Sequence, residues 1–293
     1  MVEISTKDMP REEWLAHRKK GIGGSDAAAI LGHNEYRSPY SVWADKLGLL
    51  PERPDTEAMR QGRDLENYVA RRFHEESGKE VRRVNAILAN AQYPVLTANI
   101  DRRIVGEAAG LECKTTSVMN LKKFKNGEYP AAYYCQCMHY LAVTGWDRWY
   151  LAVMVLNQGF YTFVIERDEG EIQSLIQQEL DFWRLVETKT PPPIDGSEAT
   201  RRAIETTNPA DDAKEPALLY GMEEDIIALE HHKQRKKDVE LAIGEITNKI
   251  RAALAGSTKG IMHGYEVHLK VIAKAPYTVI PKPYTTIKIK EAS

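Results

Sequence analysis

Helix-like and strand-like patterns alternate along residues 1–190, which restricts this part of the chain to an α/β fold. A helix is predicted over 64–77, where apolar residues recur at helical spacing and Gly78 ends the pattern. The other predicted helices lie over 27–31, 131–144 and 169–188. Strands are predicted over 79–88, 93–104, 111–116, 149–156 and 160–165.

A glycine-rich segment, Gly21-Ile22-Gly23-Gly24, precedes Ser25 and Asp26. Either Ser25 or Asp26 is a suitable N-cap for the short helix predicted over 27–31. On its own, the glycine pair indicates a plain turn.

The chain is interpreted as a main domain over 1–193, a linker or extended wrap over 194–220, and a C-terminal appendage over 221–293. The appendage begins with a long amphipathic helix predicted over 222–254. Its last part, 259–293, holds six Lys against two Glu, a net charge of +4. Alternating apolar residues predict short strands there, namely Tyr265, Val267, Leu269 and Val271.

Opposite charges nearly cancel, because 40 Lys and Arg face 42 Asp and Glu and leave a net charge of −2. This balance excludes a uniformly basic protein that coats nucleic acid, but it permits a local basic groove. The longest apolar run, 149–156, is shorter than the ~20 residues that span a membrane. The first ten residues contain no apolar signal region, and three cysteines are too few for a disulfide framework or a four-cysteine cluster. We therefore expect a cytoplasmic protein with no membrane partner and no iron–sulfur cluster.

Two charged residues share one face of the strand predicted over 111–116. Because side chains alternate along a strand, Glu112 and Lys114 lie opposite its apolar residues. If Asp101 ends the preceding antiparallel strand, its carboxylate lies near Glu112, and a hard cation such as Mg²⁺ relieves their repulsion. Lys114 would then hold or deprotonate the attacking water. An exposed, salt-bridged strand is the alternative interpretation of this pattern.

Glu66 and Gln136 are two further candidates, each with an ordinary alternative. Glu66 follows Leu65 in the helix before the strands and would supply a third acid, although a helix N-terminal turn also favours a carboxylate. Gln136 and Tyr140 share one helical face at i, i+4, where a tyrosine more often packs than reacts. A strand of nucleic acid would also need a basic track, for which the candidates are Arg60, Arg63, Arg71-Arg72, Arg102-Arg103 and Lys122-Lys123-Lys125.

Short motifs follow one another in a specific order along residues 10–190. They are Arg18 with Gly21-Ile22-Gly23-Gly24-Ser25-Asp26, Ser38-Pro39-Tyr40 with Trp43, Gly62 with Glu66, Asn99-x-Asp101, Glu112-x-Lys114 and Gln136-x-x-x-Tyr140. In this order and spacing they resemble the YqaJ-like viral recombinases, phage alkaline exonucleases of the lambda-exonuclease type with the core fold of PD-(D/E)xK nucleases. The sequence departs from the motif that names this fold at Ile100, which stands in place of proline.

The resemblance implies an α/β fold with a central mixed sheet flanked by helices. It does not extend to residues 194–293, where the long C-terminal helix and the small β appendage are predicted from the sequence pattern alone. It implies that Asp101, Glu112 and the Cys113 carbonyl ligate Mg²⁺, for which Mn²⁺ would substitute. Glu66 and Asp101 would hold a second, weaker metal. Lys114 would position the attacking water and Gln136 would line the site, while Arg18 and Ser25 would bind a 5′-terminal phosphate.

The activity implied by the resemblance is Mg²⁺-dependent 5′→3′ exonuclease action on double-stranded DNA ends in phage or prophage recombination, inside a bacterial host cell. The product would be a 3′ overhang for a single-strand annealing protein, and relatives of this type form ring-shaped trimers. Two alternatives remain open at this point. They are a sequence-specific endonuclease on the same core and a catalytically silent DNA-binding or recombination scaffold.

Overall fold

A computed structural model describes residues 1–52, 54–211, 213–270, 272–273, 285–287 and 289, without the side chain of Lys125. The chain divides into two compact units, Met1–Ala210 and Asp211–Ser293. Within the described residues, no helix is both long and apolar enough to cross a membrane. Predicted strand residue Val271 lies outside the described residues.

The first unit contains two sheets. Its strands are β1 (Val2–Ser5), β2 (Val81–Arg83), β3 (Ala86–Ala89), β4 (Thr97–Ala98), β5 (Arg102–Ile104), β6 (Ala109–Thr116), β7 (Arg148–Val155) and β8 (Gly159–Glu166). The larger sheet has the order β2-β5-β6-β7-β8, and only the β6–β7 pair is parallel. The smaller antiparallel sheet has the order β1-β3-β4. This is the mixed sheet expected for the predicted fold class.

Helices cover both faces of the larger sheet. Those of the first unit are α1 (Arg11–Lys19), α2 (Gly24–Ile30), α3 (Pro39–Lys46), α4 (Glu57–Ser77), α5 (Ala131–Thr144), α6 (Glu169–Glu187) and α7 (Glu198–Thr207). Helix α4 packs on β6 and β7, and α5 packs between β7 and the helices α2 and α6. The parallel pair β6 and β7 needs a long crossover connection, which is usually helical, and α5 lies in it.

Apolar side chains form a separate core on each face of the larger sheet. On the α4 side, Phe73 packs against Tyr150 with ring centroids 5.4 Å apart. On the α5 side, the fully buried Trp149 ring lies directly over Gly110. A Cβ atom at Gly110 would come within 2.3 Å of that ring, so this contact requires glycine.

Several predicted elements have the expected type but different limits. Helix α4 begins seven residues earlier than predicted, since Thr56 caps it at Met59 N–H, 3.2 Å away. Gly78 ends it in the left-handed conformation, as predicted, with φ 71°. The predicted hairpin is confirmed by β7 and β8. The long extended segments predicted over 79–104 are instead short strands of two different sheets.

Two predictions about helices are wrong. Neither Ser25 nor Asp26 is the N-cap of α2, because Gly23 occupies that position and Asp26 Oδ2 accepts from its N–H at 3.0 Å. The segment 194–220 is not extended throughout, because α7 lies within it. Thr200 of α7 is buried and donates its hydroxyl to Ser38 Oγ, 2.7 Å away.

The second unit consists of one long helix and a hairpin in its described residues. Helix α8 (Glu223–Leu254) has 32 residues, close to its predicted limits. It is followed by the antiparallel pair β9 (Lys259–Met262) and β10 (Tyr265–His268). Two of the four residues on which the strand prediction rests, Tyr265 and Val267, lie in β10, whereas Leu269 lies just beyond it.

A buried ionic cluster joins α2 to α3. The Asp26 carboxylate is almost fully buried and accepts from Lys46 Nζ at 2.6 Å and from Arg37. Lys46 Nζ also donates to the Arg18 carbonyl at 2.8 Å, which ties the end of α1 to the same cluster. Burial alone would raise the pKa of Asp26, but the charges of Lys46 and Arg37 lower it well below its ordinary value.

Replacing Asp26 by asparagine is expected to lower the free energy of unfolding at pH 7 by about 3 kcal/mol, because it leaves buried cations without their counter-charge. Since the folded carboxylate has a lowered pKa, its stabilisation is complete above pH ~4 and is lost only as the pH falls below that. Urea unfolding at several pH values measures the effect. Asp45→Asn is the matched control, because Asp45 is more exposed and pairs with Arg37 at 3.0 Å. Equal, small losses of unfolding free energy in the two variants would contradict the stabilising role of the buried Asp26 carboxylate.

Candidate active site

The register of β5 and β6 brings two carboxylates together. Arg102 pairs with Leu111, so the next position along the same antiparallel register places Asp101 opposite Glu112. The Asp101 carboxylate is fixed there, since its Oδ2 accepts from Cys113 N–H at 2.8 Å. The predicted proximity of Asp101 and Glu112 is therefore what the structure shows.

Glu112 lies under α5 on the face opposite the core of α4. Its Oε1 is 2.5 Å from Lys114 Nζ and accepts from Gln136 Nε2 at 2.8 Å. Its Oε2 is buried and has no hydrogen-bond partner among the described residues. A buried carboxylate oxygen without a partner is costly unless something else occupies its free lone pairs.

Burial raises the pKa of Asp101 well above its ordinary value, and the nearby charges of Glu112 and Glu66 raise it further. Burial by itself would lower the pKa of Lys114, but the charges of Glu112 and Asp101 raise it. Lys114 is therefore a cationic donor in this arrangement, suited to holding a water or phosphate oxygen rather than removing a proton. The three groups form one electrostatically coupled set.

Helix α5 closes the site with amide and hydroxyl groups. Gln136 Oε1 accepts from Lys114 Nζ at 2.9 Å, and its Nε2 donates to Tyr140 Oη at 2.7 Å as well as to Glu112. Tyr140 Oη in turn donates to the Asn99 carbonyl, 3.3 Å away. Tyr140 thus packs in the core and also participates in the polar network, a role that its helical spacing with Gln136 only partly indicates.

Glu66 is turned toward a different partner. Its Oε1 is 2.5 Å from a nitrogen of Arg102, which is buried and also donates to Asn67 Oδ1 at 2.7 Å. Consistent with this, no three His, Cys, Asp or Glu side chains converge as a ready-made metal site in the described part of the chain. In this structure Arg102 binds the Glu66 carboxylate, which was expected to share a second metal with Asp101.

The remaining donor set fits a hard cation. Mg²⁺ prefers oxygen ligands and needs few protein carboxylates, because it retains several waters. Asp101 and Glu112 supply two carboxylates, and one buried oxygen of Glu112 has no partner within the described ranges. Their mutual repulsion, which raises the pKa of Asp101, is the condition that a divalent cation relieves.

Arg18 and Ser25 lie in the same cleft as the carboxylates. Arg18 donates to Ser25 Oγ at 3.3 Å, and its guanidinium stands 4.8 Å from the centre of the Trp14 ring. A cavity of about 180 Å³ is lined by both of these side chains together with Asp101, Glu112 and Gln136. The structure therefore brings the predicted anion-binding pair and the predicted carboxylate pair together, whereas Glu66 and Lys114 do not line this cavity.

Trp14 was not predicted as a site residue. Its indole Nε1–H donates to Asn99 Oδ1 at 3.2 Å, which links α1 to the segment that leads into Asp101. Its ring also supports Arg18 from one side. Nothing in the local pattern around Trp14 distinguishes it from an ordinary residue of an amphipathic helix.

Gly24 allows α2 to approach α5 closely at the cleft. A Cβ atom at this position would come within 2.5 Å of the Tyr140 ring and 3.0 Å of the Gln136 side chain. The glycine pair is therefore more than the plain turn that the local sequence indicates.

The predicted basic track is largely neutralised by acidic neighbours. Arg102 is buried against Glu66, Arg63 pairs with Asp55, and Arg72 pairs with Glu76 at 2.6 Å. Lys123 lies 3.6 Å from Glu35. Exposed pairs of this kind are weak, so phosphates can compete for the exposed cations, but Arg102 is not available as a DNA contact.

Comparison with known proteins agrees with this architecture. The model of the YqaJ-like viral recombinase domain matches residues 13–147. The uncharacterized protein YqaJ of Bacillus subtilis (strain 168) is 38% identical over 280 residues, which cover 92% of this chain and 86% of that protein.

Two crystal structures of an alkaline exonuclease (LHK-Exo) from Laribacter hongkongensis are similar in fold. The first has a TM-score of 0.51 at 19% identity, and the second, a complex with dAMP, has a TM-score of 0.54 at 20% identity. Each match covers 61% of this chain and 93% of that chain. The predicted fold class is confirmed. With its high identity to YqaJ over nearly its whole length, this chain belongs to the YqaJ-like viral recombinase family.

Proposed function

We propose that the protein is a metal-dependent exonuclease that degrades double-stranded DNA from its 5′ ends. The observation that carries this proposal is the presence of Asp101, Glu112, Arg18 and Ser25 around one cavity. A cation site next to an anion site matches a substrate with a scissile phosphate and a terminal phosphate. The fold shared with the alkaline exonuclease from Laribacter hongkongensis supports the same reaction class.

Asp101, Glu112 and the Cys113 carbonyl would hold Mg²⁺, and Mn²⁺ would substitute. The bound cation would neutralise charge that develops on the phosphate and lower the pKa of water. Glu66 is assigned a secondary role, because Arg102 holds its carboxylate in the structure.

Lys114 and Gln136 would orient the attacking water and a phosphate oxygen. Both carry hydrogen-bond donors, and each is fixed by the other at 2.9 Å and by Glu112. Preorganised donors of this kind stabilise developing negative charge without reorganising during the reaction.

Arg18 and Ser25 would bind the 5′-terminal phosphate. An arginine that already stacks on Trp14 loses little side-chain freedom when it binds an anion, and its guanidinium makes charge-assisted hydrogen bonds. Recognition of a chain end in this way favours an exonuclease over an endonuclease. Removal of nucleotides from 5′ ends would leave 3′ overhangs.

The biological setting that we propose is phage or prophage recombination in the cytoplasm of a bacterial host. The 3′ overhangs would be passed to a single-strand annealing protein. A ring-shaped homotrimer would concentrate the few available basic residues around DNA despite the net charge of −2.

Replacing Asp101 by asparagine or Glu112 by glutamine is expected to reduce metal-dependent cleavage of linear duplex DNA by several orders of magnitude, because each change removes a ligand charge and keeps the side-chain shape. Glu166→Gln is a suitable control, since Glu166 is exposed at the end of β8. Near-normal turnover in both site variants would refute the metal assignment. Binding of DNA without cleavage by the unaltered protein would instead favour the silent scaffold.

Replacing Arg18 by alanine is expected to reduce the rate ratio between 5′-phosphorylated and 5′-hydroxyl duplex ends by about tenfold. This factor corresponds to the loss of one charge-assisted hydrogen bond. The metal requirement should not change. Lys19→Ala controls for the loss of a nearby positive charge. Initial rates on the two substrates give the ratio. An unaltered ratio would show that Arg18 is structural, and cleavage of closed-circular DNA would favour an endonuclease.

A further inference from the structure

A buried ion pair lies behind the site and takes no part in the chemistry described above. His139 of α5 and Glu179 of α6 are both completely buried, and His139 Nδ1 is 2.7 Å from Glu179 Oε1. On the other side of the ring, His139 Nε2 is 2.8 Å from the carbonyl oxygen of Thr97. The ring thus joins two helices to the end of a strand.

The two partners define the protonation of the ring. The backbone carbonyl can only accept, so Nε2 carries a proton; with Glu179 as a carboxylate, Nδ1 donates as well and the ring is an imidazolium. Burial alone would lower the pKa of His139, but the charge and hydrogen bond of Glu179, with the Thr97 carbonyl, raise it. The hydrogen-bond partners of His139 and the raised pKa both favour the protonated ring.

The Thr97 carbonyl belongs to the backbone segment that links the two sides of the cleft, one with Arg18 and Ser25 and the other with Asp101 and Glu112. Thr97 N–H donates to the Ile22 carbonyl at 2.8 Å, and Ile22 N–H donates to the Val95 carbonyl at 2.7 Å. Ile22 leads directly into Gly23, Gly24 and Ser25, while Thr97 leads, four residues later, into Asp101. One short backbone segment therefore positions both the anion-binding pair and the carboxylate pair.

Stability by itself is a weak explanation for this ion pair. Glu179 Oε2 is buried and has no hydrogen-bond partner among the described residues, so the carboxylate is only half satisfied. A buried ion pair of this kind is often no more stabilising than apolar residues of the same volume. What an apolar pair cannot provide is a directed hydrogen bond to the Thr97 carbonyl.

We infer that His139 is a positioning residue for the site, and that its Nε2–H bond to the Thr97 carbonyl fixes the segment that carries Asp101 on one side and Ser25 on the other. Glu179, as the partner of Nδ1, orients the ring for that bond. Gln136 lies one helical turn before His139, so α5 holds Glu112 through one side chain and Thr97 through the other. The kinetic part of this inference rests on the proposed exonuclease activity.

Two substitutions of His139 separate the bond to Thr97 from the ion pair. The amide nitrogen of glutamine reaches the position of Nε2, so His139→Gln can keep the bond to Thr97 and lose the one to Glu179. The amide nitrogen of asparagine reaches the position of Nδ1, so His139→Asn can keep the bond to Glu179 and lose the one to Thr97. Both variants lose the imidazolium, and their losses of stability are therefore expected to be similar.

The readouts are turnover on linear 5′-phosphorylated duplex and amide hydrogen exchange of Ile22 and Thr97. We expect His139→Asn to lower kcat by about 10- to 100-fold, as for other groups that orient a catalytic site, and to speed exchange at both amides. His139→Gln is expected to retain most of kcat and slow exchange. Equal losses in the two variants, scaling only with stability, would overturn the inference.

Glu179→Gln provides the test if the His139 variants do not fold. It removes the charge but leaves a partner for Nδ1 and keeps the bond from Nε2 to Thr97, so exchange at Ile22 and Thr97 is expected to stay slow. Fast exchange in this variant would overturn the inference. The exchange readout needs no enzymatic activity, so absence of cleavage by the unaltered protein would refute the proposed function while the exchange comparison still decides the positioning role.

Discussion

Repulsion between the carboxylates of Asp101 and Glu112 is the constraint around which the site is built. The register of β5 and β6 forces the two groups together, and burial denies them the solvent that would screen their charges. Lys114, Gln136 and the Cys113 N–H compensate only in part, since Glu112 Oε2 has no hydrogen-bond partner in the part of the chain that the structure describes. The cation that we propose for this site would relieve the remaining cost.

The surrounding helices hold this carboxylate pair in place, α5 by direct hydrogen bonds and α2 and α3 through more distant contacts. Helix α5 reaches the carboxylates through Gln136 and the neighbouring backbone through Tyr140. Helix α2 packs on α5 through Gly24, and the Asp26 cluster ties α2 to α3 and to the end of α1. Arg18 and Ser25 consequently have a fixed relation to Asp101, although the two groups lie far apart in the sequence.

The sequence was sufficient to predict features that depend on local periodicity. The alternation of side chains along β6 separates Glu112 from the apolar face, and antiparallel pairing then brings Asp101 opposite it. The end of α4 at Gly78 and the β7–β8 hairpin follow from turn chemistry. The order of the site motifs likewise indicated the family, which the comparison with YqaJ confirms.

Features that depend on side-chain direction in three dimensions were not predictable. Arg102 binds Glu66 across the interface between α4 and β5. No rule of residue spacing predicts this pairing. Asp26 is not the N-cap residue but accepts from the Gly23 N–H and also joins an ionic cluster with Lys46, and His139 contacts Glu179, which lies 40 residues away in the sequence. Helix α7 lies in a segment interpreted as a linker or extended wrap because it is polar and rich in Pro and Asp. The few residues that α7 buries are small, for example Ala199 and Ala203, and give only a weak helical signal.

Calorimetric titration with Mn²⁺ tests most directly whether Asp101 and Glu112 form a cation site. If the two carboxylates form such a site, the unaltered protein binds Mn²⁺ at pH 7 without DNA. Glu112→Gln is then expected to weaken binding by about tenfold or more, since removal of one charged ligand costs at least ~1.4 kcal/mol. Glu166→Gln should leave the affinity unchanged. Equal affinity in the unaltered protein and Glu112→Gln would show that Glu112 is not a ligand of the cation.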